Sequence, residues 1–241
     1  MSYEKVDIAY VIYTNIRDAY AQRVGIKWDD ENFVVEVTRR GSKRDVKTTA
    51  AENLKSNDKF VKQFRSAGCV ILAGRMGSKN DNSSIPVMMV IVNPDMKTFQ
   101  EKTSFKNYIE AIQYKLGDSG VLSFVVSKEV ETFKTSLKDN FSSNYRINIY
   151  TFEVFRVDPM THVSRPAELK KYSKEEAEEQ LRLINGAKNQ LQTMSPTDAL
   201  CIWNNLLPGD IIAVSYISRT SGTEVTMYLI GGSASAALYK R

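Results

Sequence analysis

Apolar residues near the start of the chain recur at spacings of four and three. That spacing places them on one face of a helix, which Gly25 would end. The residues of this predicted face are Val6, Tyr10, Tyr13, Ile16, Tyr20 and Val24. A strand is predicted next, over residues 33–37, and a basic loop follows around Gly41. We interpret the loop as a solvated surface or as a contact for a polyanion, and its basic residues are Arg39, Arg40, Lys43, Arg44 and Lys47.

Short apolar runs in the middle of the chain alternate with helical spacings. The runs predict strands at residues 69–73, 87–92, 121–126 and 146–155. Residues 74–84 are polar and contain glycine, which indicates a turn region. Helical spacing predicts helices over residues 105–116 and 130–137. Strands that alternate with helices indicate an α/β domain with a mostly parallel or mixed sheet.

A different order of signals begins near Tyr145. Ser173 and Glu176 have the spacing of a capping box, which predicts the start of an acidic helix. A shorter helix is predicted from Asp198 to Trp203. Two strands follow, at residues 211–217 and 225–230, with a hairpin turn at Ser221 and Gly222.

These patterns predict a fold that is α+β overall. Its N-terminal α/β domain would cover residues 1–145, and a small C-terminal α+β domain would cover residues 146–241. The chain has 241 residues, of which 42% are hydrophobic and 25% charged, as is usual for a globular protein.

The charge, the cysteine content and the apolar runs argue against several classes of protein. The formal net charge of +5 allows weak, salt-sensitive phosphate contacts, but it does not imply strong autonomous DNA binding. Two cysteines, Cys69 and Cys201, and the single histidine, His162, cannot form a four-ligand zinc site by themselves. The longest apolar runs are too short to cross a bilayer, and charges near the start argue against a signal peptide. We therefore expect an intracellular protein with reduced thiols and no membrane partner.

No residue set predicts catalysis. A nucleophile–histidine triad would need His162 as its base, and a structural or interface role for this residue fits better. A magnesium-dependent nuclease needs clustered carboxylates and a lysine. Asp95 would begin such a motif, but the later Glu-x-Lys spacing occurs only at Glu168 and Lys170, in the other predicted domain. The sequence predicts no catalytic residue, no cofactor and no metal.

The last third of the chain carries a series of motifs at fixed intervals. His162 precedes Pro166 by four positions, and an acidic helix that begins with a serine follows. Between Gln190 and Gly222 the spacing of the remaining motifs is kept without a gap. These motifs are Gln190-Leu191, Asp198 with the aromatic Trp203, the turn at Gly209 into a strand, and the Ser-x-Thr-x-Gly segment that ends at Gly222.

In these residues the chain resembles the fifth-largest subunit shared by the nuclear RNA polymerases of eukaryotes, and its C-terminal domain is similar to the short archaeal counterpart of that subunit. It departs from the family at Glu168, where the family has a second histidine, and at Ala199, where the family has proline. Versions in large DNA viruses diverge in this manner. A viral polymerase is therefore as compatible with the resemblance as a cellular one.

The resemblance implies a non-catalytic subunit of a multisubunit DNA-directed RNA polymerase. The C-terminal domain would dock on the largest subunit and meet other subunits. The N-terminal domain would form part of the lower jaw around downstream duplex DNA, with a restriction-endonuclease-like fold that lacks an active site. The residues expected at the assembly interface are His162, Pro166, Gln190, Leu191, Asp198, Trp203, Gly209, Tyr216 and Gly222.

Lys128 is the main DNA-facing candidate, with Ser127 and Lys134 beside it, and contact would be to the DNA backbone without base reading. A cellular version would act in the nucleus, and a viral one in the virion and the cytoplasmic viral factory. Two alternatives stay open: a free-standing DNA-binding transcription factor and the magnesium-dependent nuclease.

Overall fold

The protein has a mixed α+β fold with two sheets. A computed structural model describes residues 3–29, 33–40, 43–50, 60–61, 64, 69–78, 81–93, 119–127, 137, 144–161, 166–218, 220 and 222–232. The chain divides into two compact units between Arg156 and Val157. The predicted α+β class is confirmed.

The first unit opens with a helical region. Helix α1 (Tyr3–Asn15) runs into a π-helical segment (Ile16–Tyr20) and then into α2 (Ala21–Val24). Gly25 ends it with φ of 77°, in the left-handed region that glycine adopts without a steric cost. The predicted helix is therefore confirmed. The side chains it buries include Ala9, Ile12, Tyr13, Ile16 and Tyr20.

Seven strands form the sheet of the first unit: β1 (Ile26–Trp28), β2 (Phe33–Arg40), β3 (Lys43–Ala50), β4 (Cys69–Ser78), β5 (Asp81–Val92), β6 (Gly120–Val126) and β7 (Tyr145–Thr151). The strand order is β3-β2-β4-β5-β6-β7, and β1 pairs with β4. The pairs from β3 to β5 are antiparallel, whereas β6 pairs in parallel with β5 and β7. The sheet is mixed, as the sequence indicates.

A close backbone approach explains one glycine of this sheet. Trp28 in β1 pairs with Gly74 in β4, and a Cβ atom at residue 74 would lie 2.8 Å from the Cα of Trp28. Such a contact is too short for any side chain. The indole N–H of Trp28 donates to the carbonyl oxygen of Arg17 at 3.0 Å, which joins β1 to the helical region.

Two loop predictions are wrong where polar strands continue beyond the apolar runs. The predicted basic loop lies mostly in strands, because Arg39 pairs with Arg44 and Arg40 pairs with Lys43 across β2 and β3. The predicted turn region at residues 74–84 is also mostly strand, since β4 extends to Ser78. Cross-strand pairing supports these extensions, which their polar side chains do not reveal. Gly41 itself lies outside the described residues.

The predicted strand at residues 146–155 is correct only as far as Thr151. Helix α3 (Phe152–Arg156) follows, and it buries Phe152 and Phe155. The side-chain amide of Asn15 donates to the carbonyl oxygens of Phe155 at 2.9 Å and Arg156 at 3.2 Å. It thereby satisfies carbonyl groups that have no hydrogen-bond donor within the helix.

The boundary predicted between residues 145 and 146 lies before β7, whereas the two units divide after α3. The physical reason is that β7 pairs with β6 along its whole length and so belongs to the first sheet. The predicted helix at residues 105–116 lies outside the described residues. Of the predicted helix at 130–137, only Leu137 is described, and it is helical and fully buried.

The second unit contains β8 (Glu168–Lys171), α4 (Lys174–Leu183), a 3-10 turn (Lys188–Gln190), β9 (Gln192–Met194), α5 (Ala199–Trp203), β10 (Ile211–Ser218) and β11 (Gly222–Ile230). The strand order is β8-β10-β11-β9. Strand β10 is antiparallel to β8 and β11, and β9 runs parallel to β11. The predicted hairpin strands and the short helix are confirmed, whereas β8 and β9 were not predicted.

The capping box at the start of α4 is confirmed. The hydroxyl of Ser173 accepts from the backbone N–H of Glu176 at 3.1 Å, and a carboxylate oxygen of Glu176 accepts from the backbone N–H of Ser173 at 2.9 Å. The latter hydrogen bond is the largest cause of the lowered pKa of Glu176, and Lys170 adds to it. Two of the donors that helix geometry leaves unpaired are thereby satisfied.

Candidate assembly interface

One face of the β10–β11 hairpin is closed by the core of the second unit. Ile212 and Val214 in β10 and Ile230 in β11 pack with Leu200 and Cys201 from α5. These residues alternate with outward-facing ones, as strand geometry requires. Burial, with smaller contributions from the carboxylates of Asp198 and Asp210, raises the pKa of the Cys201 thiol to about 12.

Trp203 is a further buried residue of α5. Its side chain is fully buried, with 0% of its surface exposed. A residue in that position contributes to the stability of the unit and presents no surface to another molecule. Tyr216 also packs against the inner core but remains half-buried, and burial raises the pKa of its hydroxyl.

The opposite, outer face of the hairpin becomes more exposed toward its tip. Cross-strand pairs on this face join Ile211 to Leu229, Ala213 to Met227, Ser215 to Val225 and Ile217 to Thr223. Near the base, Ile211 and Ala213 are buried, whereas near the tip Val225 is 60% exposed and Ile217 is 76% exposed. We call Ile217, Val225 and the half-buried Met227 the hairpin patch.

A polar network fixes the base of the hairpin. The Asp210 carboxylate accepts from the backbone N–H of Leu207 at 2.7 Å and forms an ion pair of 2.7 Å with the ammonium of Lys171. The Gly209 N–H donates to the carbonyl oxygen of Ile230 at 2.8 Å, and Gly209 has φ of 94°. The role of the Gly209 turn is therefore to align the two strands.

Most of the predicted assembly residues have a structural role that the geometry explains. Pro166 is buried. The side-chain oxygen of Gln190 accepts from the N–H of Ala187 at 2.8 Å, and the carboxylate of Asp198 accepts from the N–H of Leu200 at 2.8 Å as the cap of α5. Gly222 has φ of 77° and pairs with Ser218 at the hairpin tip.

Two further assembly candidates and the DNA-facing candidates are only partly described. Leu191 is half-buried beside the 3-10 turn, and His162 lies outside the described residues. Ser127 is exposed and directly follows β6. Lys128 and Lys134 lie outside the described residues, so they stay predictions.

The apolar residues at the hairpin tip were not among the predicted interface residues. Ile217 and Val225 belong to strands that were predicted, and alternation along those strands was available as a signal. What was lacking was the change in burial along the outer face, whose side chains are buried at its base and exposed at its tip. Of the aromatic residues predicted instead, Trp203 is fully buried and Tyr216 packs against the inner core.

The described part of the chain offers no cluster of three or more histidine, cysteine or acidic side chains that would hold a metal ion. Glu168 and Lys170, the later half of the predicted nuclease motif, lie in β8 of the second unit. Asp95, the first half, lies outside the described residues. Within the described ranges, no helix is both long and apolar enough for a membrane span.

The second unit matches a known protein family. Residues 157–230 match the family described as RNA polymerase Rpb5, C-terminal domain. Over these residues the chain is similar to the C-terminal domain of the Rpb5 family. The match begins at Val157, where the second unit begins, and it includes the motifs between Pro166 and Gly222. The predicted resemblance is thereby confirmed for the second unit.

The Rpb5 family connects the chain with transcription and with other RNA polymerase subunits. Its members are non-catalytic subunits of an enzyme that is catalytic as a whole. A search of curated proteins found no match to the chain.

Proposed function

We propose that the chain is a non-catalytic subunit of a multisubunit DNA-directed RNA polymerase, docked on the largest subunit by its second unit. The observation that carries this proposal is the Rpb5 match over residues 157–230, which begins where the second unit begins. The polymerase acts in the nucleus if it is cellular, and in the virion and viral factory if it is viral.

The hairpin patch supports docking of the second unit. Ile217 and Val225 are largely exposed, although their side chains are apolar and lie on the same face of the sheet. Apolar groups exposed together favour burial against another protein, and the buried centre of a protein interface is more apolar than the surrounding surface. The proposed interface is centred on this patch. Trp203 is fully buried, so it stabilises the unit without contacting the partner.

The first unit would form part of the lower jaw around downstream duplex DNA. Ser127 supports this role, because it is exposed immediately after strand β6 and directly precedes Lys128 in the sequence. A lysine there would contact phosphates without reading bases. The restriction-endonuclease-like character of this unit is part of the same proposal.

The test is affinity purification of the tagged chain from its native source. The largest polymerase subunit is expected in the eluate in a one-to-one ratio with the chain. Recovery of the chain without a large polymerase subunit would refute the proposal and favour a free-standing DNA-binding factor. A plasmid incubated with the purified chain and Mg²⁺ is expected to remain uncut, and cleavage would instead favour the nuclease.

The same purification tests the jaw role. The substitution Lys128→Glu is expected to leave recovery of the largest subunit unchanged and to weaken retention of downstream duplex DNA, because it replaces an attractive charge by a repulsive one. Lys134→Glu serves as the matched comparison at the second DNA-facing candidate. Unchanged DNA retention in both variants would contradict the jaw role and leave the docking role intact.

A further inference from the structure

Strand β11 has an edge that the described residues leave unpaired. Strand β9 pairs with β11 only at Tyr228, Leu229 and Ile230. On its other side, β11 is paired with β10 from Gly222 to Leu229. Within the described ranges no strand pairs with the outer side of residues 223–227.

The direction of the backbone groups along this edge follows from the hydrogen bonds at its end. The N–H of Ile230 donates to the carbonyl oxygen of Asp210, on the β10 side, whereas the N–H of Gly231 donates to the carbonyl oxygen of Met194, on the β9 side. The groups of successive residues alternate between the two sides of a strand. The N–H and C=O groups of Thr223, Val225 and Met227 therefore point outward at the unpaired edge.

Two edge strands, one in each sheet, carry features that discourage pairing. Strand β3, one edge of the first sheet, contains Lys43, Arg44 and Lys47. Strand β8, the other edge of the second sheet, has only four residues, among them Lys170 and Lys171. Short strands and lysines are common protections of exposed edges. The edge of β11 at residues 223–227 contains no lysine, arginine or proline, and its one charged residue is Glu224.

We infer that this edge binds an extended segment of the largest polymerase subunit, which adds to the second sheet as a further strand beside β11. A row of outward N–H and C=O groups is matched in spacing by another extended backbone, which is how strand addition recognises a peptide. Because β9 occupies the end of the edge, the added segment would be about five residues long. Its alternate side chains would extend over Val225 and Met227 of the hairpin patch. This strand addition depends on the proposed docking and specifies how it occurs.

The test compares two substitutions of Val225 in the tagged full-length chain. Val225→Pro removes the outward N–H and places a ring at the edge, a change that edge strands accept when the N–H faces solvent. Val225→Thr is the matched control, because it keeps the N–H and the β-branched shape. We expect Val225→Pro to lower recovery of the largest subunit by at least about tenfold, as loss of one hydrogen bond and steric exclusion of the segment require. We expect Val225→Thr to lower recovery by less than about threefold, because threonine keeps the backbone hydrogen bonds.

The experiment can tell loss of folding in a variant from loss of binding. Continued protection of the Cys201 thiol from alkylation shows that the second unit of a variant is folded, and Thr223→Pro replaces Val225→Pro if it is not. Equal recovery with valine and proline would overturn strand addition, and so would an equal loss with threonine, which points to face contact. If the unmodified chain recovers no large subunit, the proposed function itself fails.

Hydrogen exchange gives an independent readout of the edge. Backbone amides in the peptide that spans residues 222–228 are expected to exchange faster in the free chain than in the assembled polymerase. The amides of Thr223, Val225 and Met227 account for that difference. Slow exchange of these three amides in the free chain would mean that the chain covers its own edge, and the inference would be wrong.

Discussion

The two sheets of the molecule differ in how completely they bury their own surfaces. In the first sheet, neighbouring residues that point to opposite faces are both buried, as with Ile71 and Leu72 in β4 and with Phe124 and Val125 in β6. In the second sheet, the hairpin buries its inner face, and the outer face is exposed at Val225 and Ile217. The described central strands of the first sheet bury side chains on both faces, whereas the second sheet leaves apolar side chains exposed at the tip of its hairpin.

The sequence basis of this difference is the length and continuity of the apolar runs. Central strands buried on both faces are apolar at nearly every position, as Val87–Val92 within β5 illustrates. Strand β11 is less continuous, because Thr223, Glu224 and Thr226 interrupt its apolar positions. A strand with interrupted apolar positions buries only part of its surface, so the rest remains exposed.

The largest expected effect is the unfolding of one unit without the other. Trp203→Ala leaves a large cavity in the interior of the second unit and should lower its free energy of unfolding by about 3–5 kcal/mol. Each unit contains one buried cysteine, Cys69 in the first and Cys201 in the second. Thiol labelling during a urea titration should therefore report Cys201 at a lower urea concentration than in the unmodified chain, with Cys69 unchanged.

The matched variant is Phe124→Ala, which removes a fully buried aromatic side chain from the first sheet. It should expose Cys69 at a lower urea concentration and leave Cys201 protected. If either substitution exposes both thiols together, the two units unfold as one, and the contrast between them concerns their surfaces and not their stability.

An intermediate effect is expected from alkaline pH in the first unit. Burial raises the pKa of Cys69 from 9.0 to about 12. The folded state therefore keeps the proton that the unfolded chain loses above pH 9, and stability falls as pH rises toward 12. Near pH 10 the loss is about 1.4 kcal/mol, measured as the difference in unfolding free energy from pH 8.

The comparison that isolates this thiol is Cys69→Ala. The variant is less stable near pH 8 because of its smaller side chain, but its stability should decline less between pH 8 and pH 10 than that of the unmodified chain. Parallel pH dependences in the two proteins would show that Cys69 does not carry the effect.

The smallest expected effect concerns the helix cap of the second unit. Ser173→Ala removes the hydroxyl that accepts from the N–H of Glu176, and it should lower the stability of the second unit by about 1 kcal/mol. Glu176→Gln is the control, because glutamine keeps the reciprocal hydrogen bond and loses only an exposed ion pair with Lys170. Equal losses in the two variants would mean that the charge, and not the cap, stabilises α4.

Local signals explain which elements were predictable. The helix that Gly25 ends, the capping box at Ser173 and the hairpin strands depend on side chains close in sequence, and their positions were predicted. The polar ends of β2, β4 and β5 were not, because pairing with a neighbouring strand maintains them. Strands β8 and β9 were missed for the same reason, since they are short and mostly exposed.

The candidate site, too, was predicted only in part. The motifs from Pro166 to Gly222 identified the family, because turns, caps and core positions keep their spacing when surface residues change. The same motifs were a poor guide to the interface. Trp203 is conspicuous in the sequence and fully buried, whereas Val225 is inconspicuous and exposed.

The amino-acid sequence alone was sufficient for the family of the second unit, the α+β class and most local elements, because these depend on spacing and on neighbouring residues. Tertiary structure decided which apolar side chains are exposed and which strand edge the described residues leave without a partner strand. Exposure depends on what packs from distant parts of the chain, and Ile212 and Ile217 illustrate this: both are isoleucines in β10, but Ile212 is fully buried and Ile217 is 76% exposed.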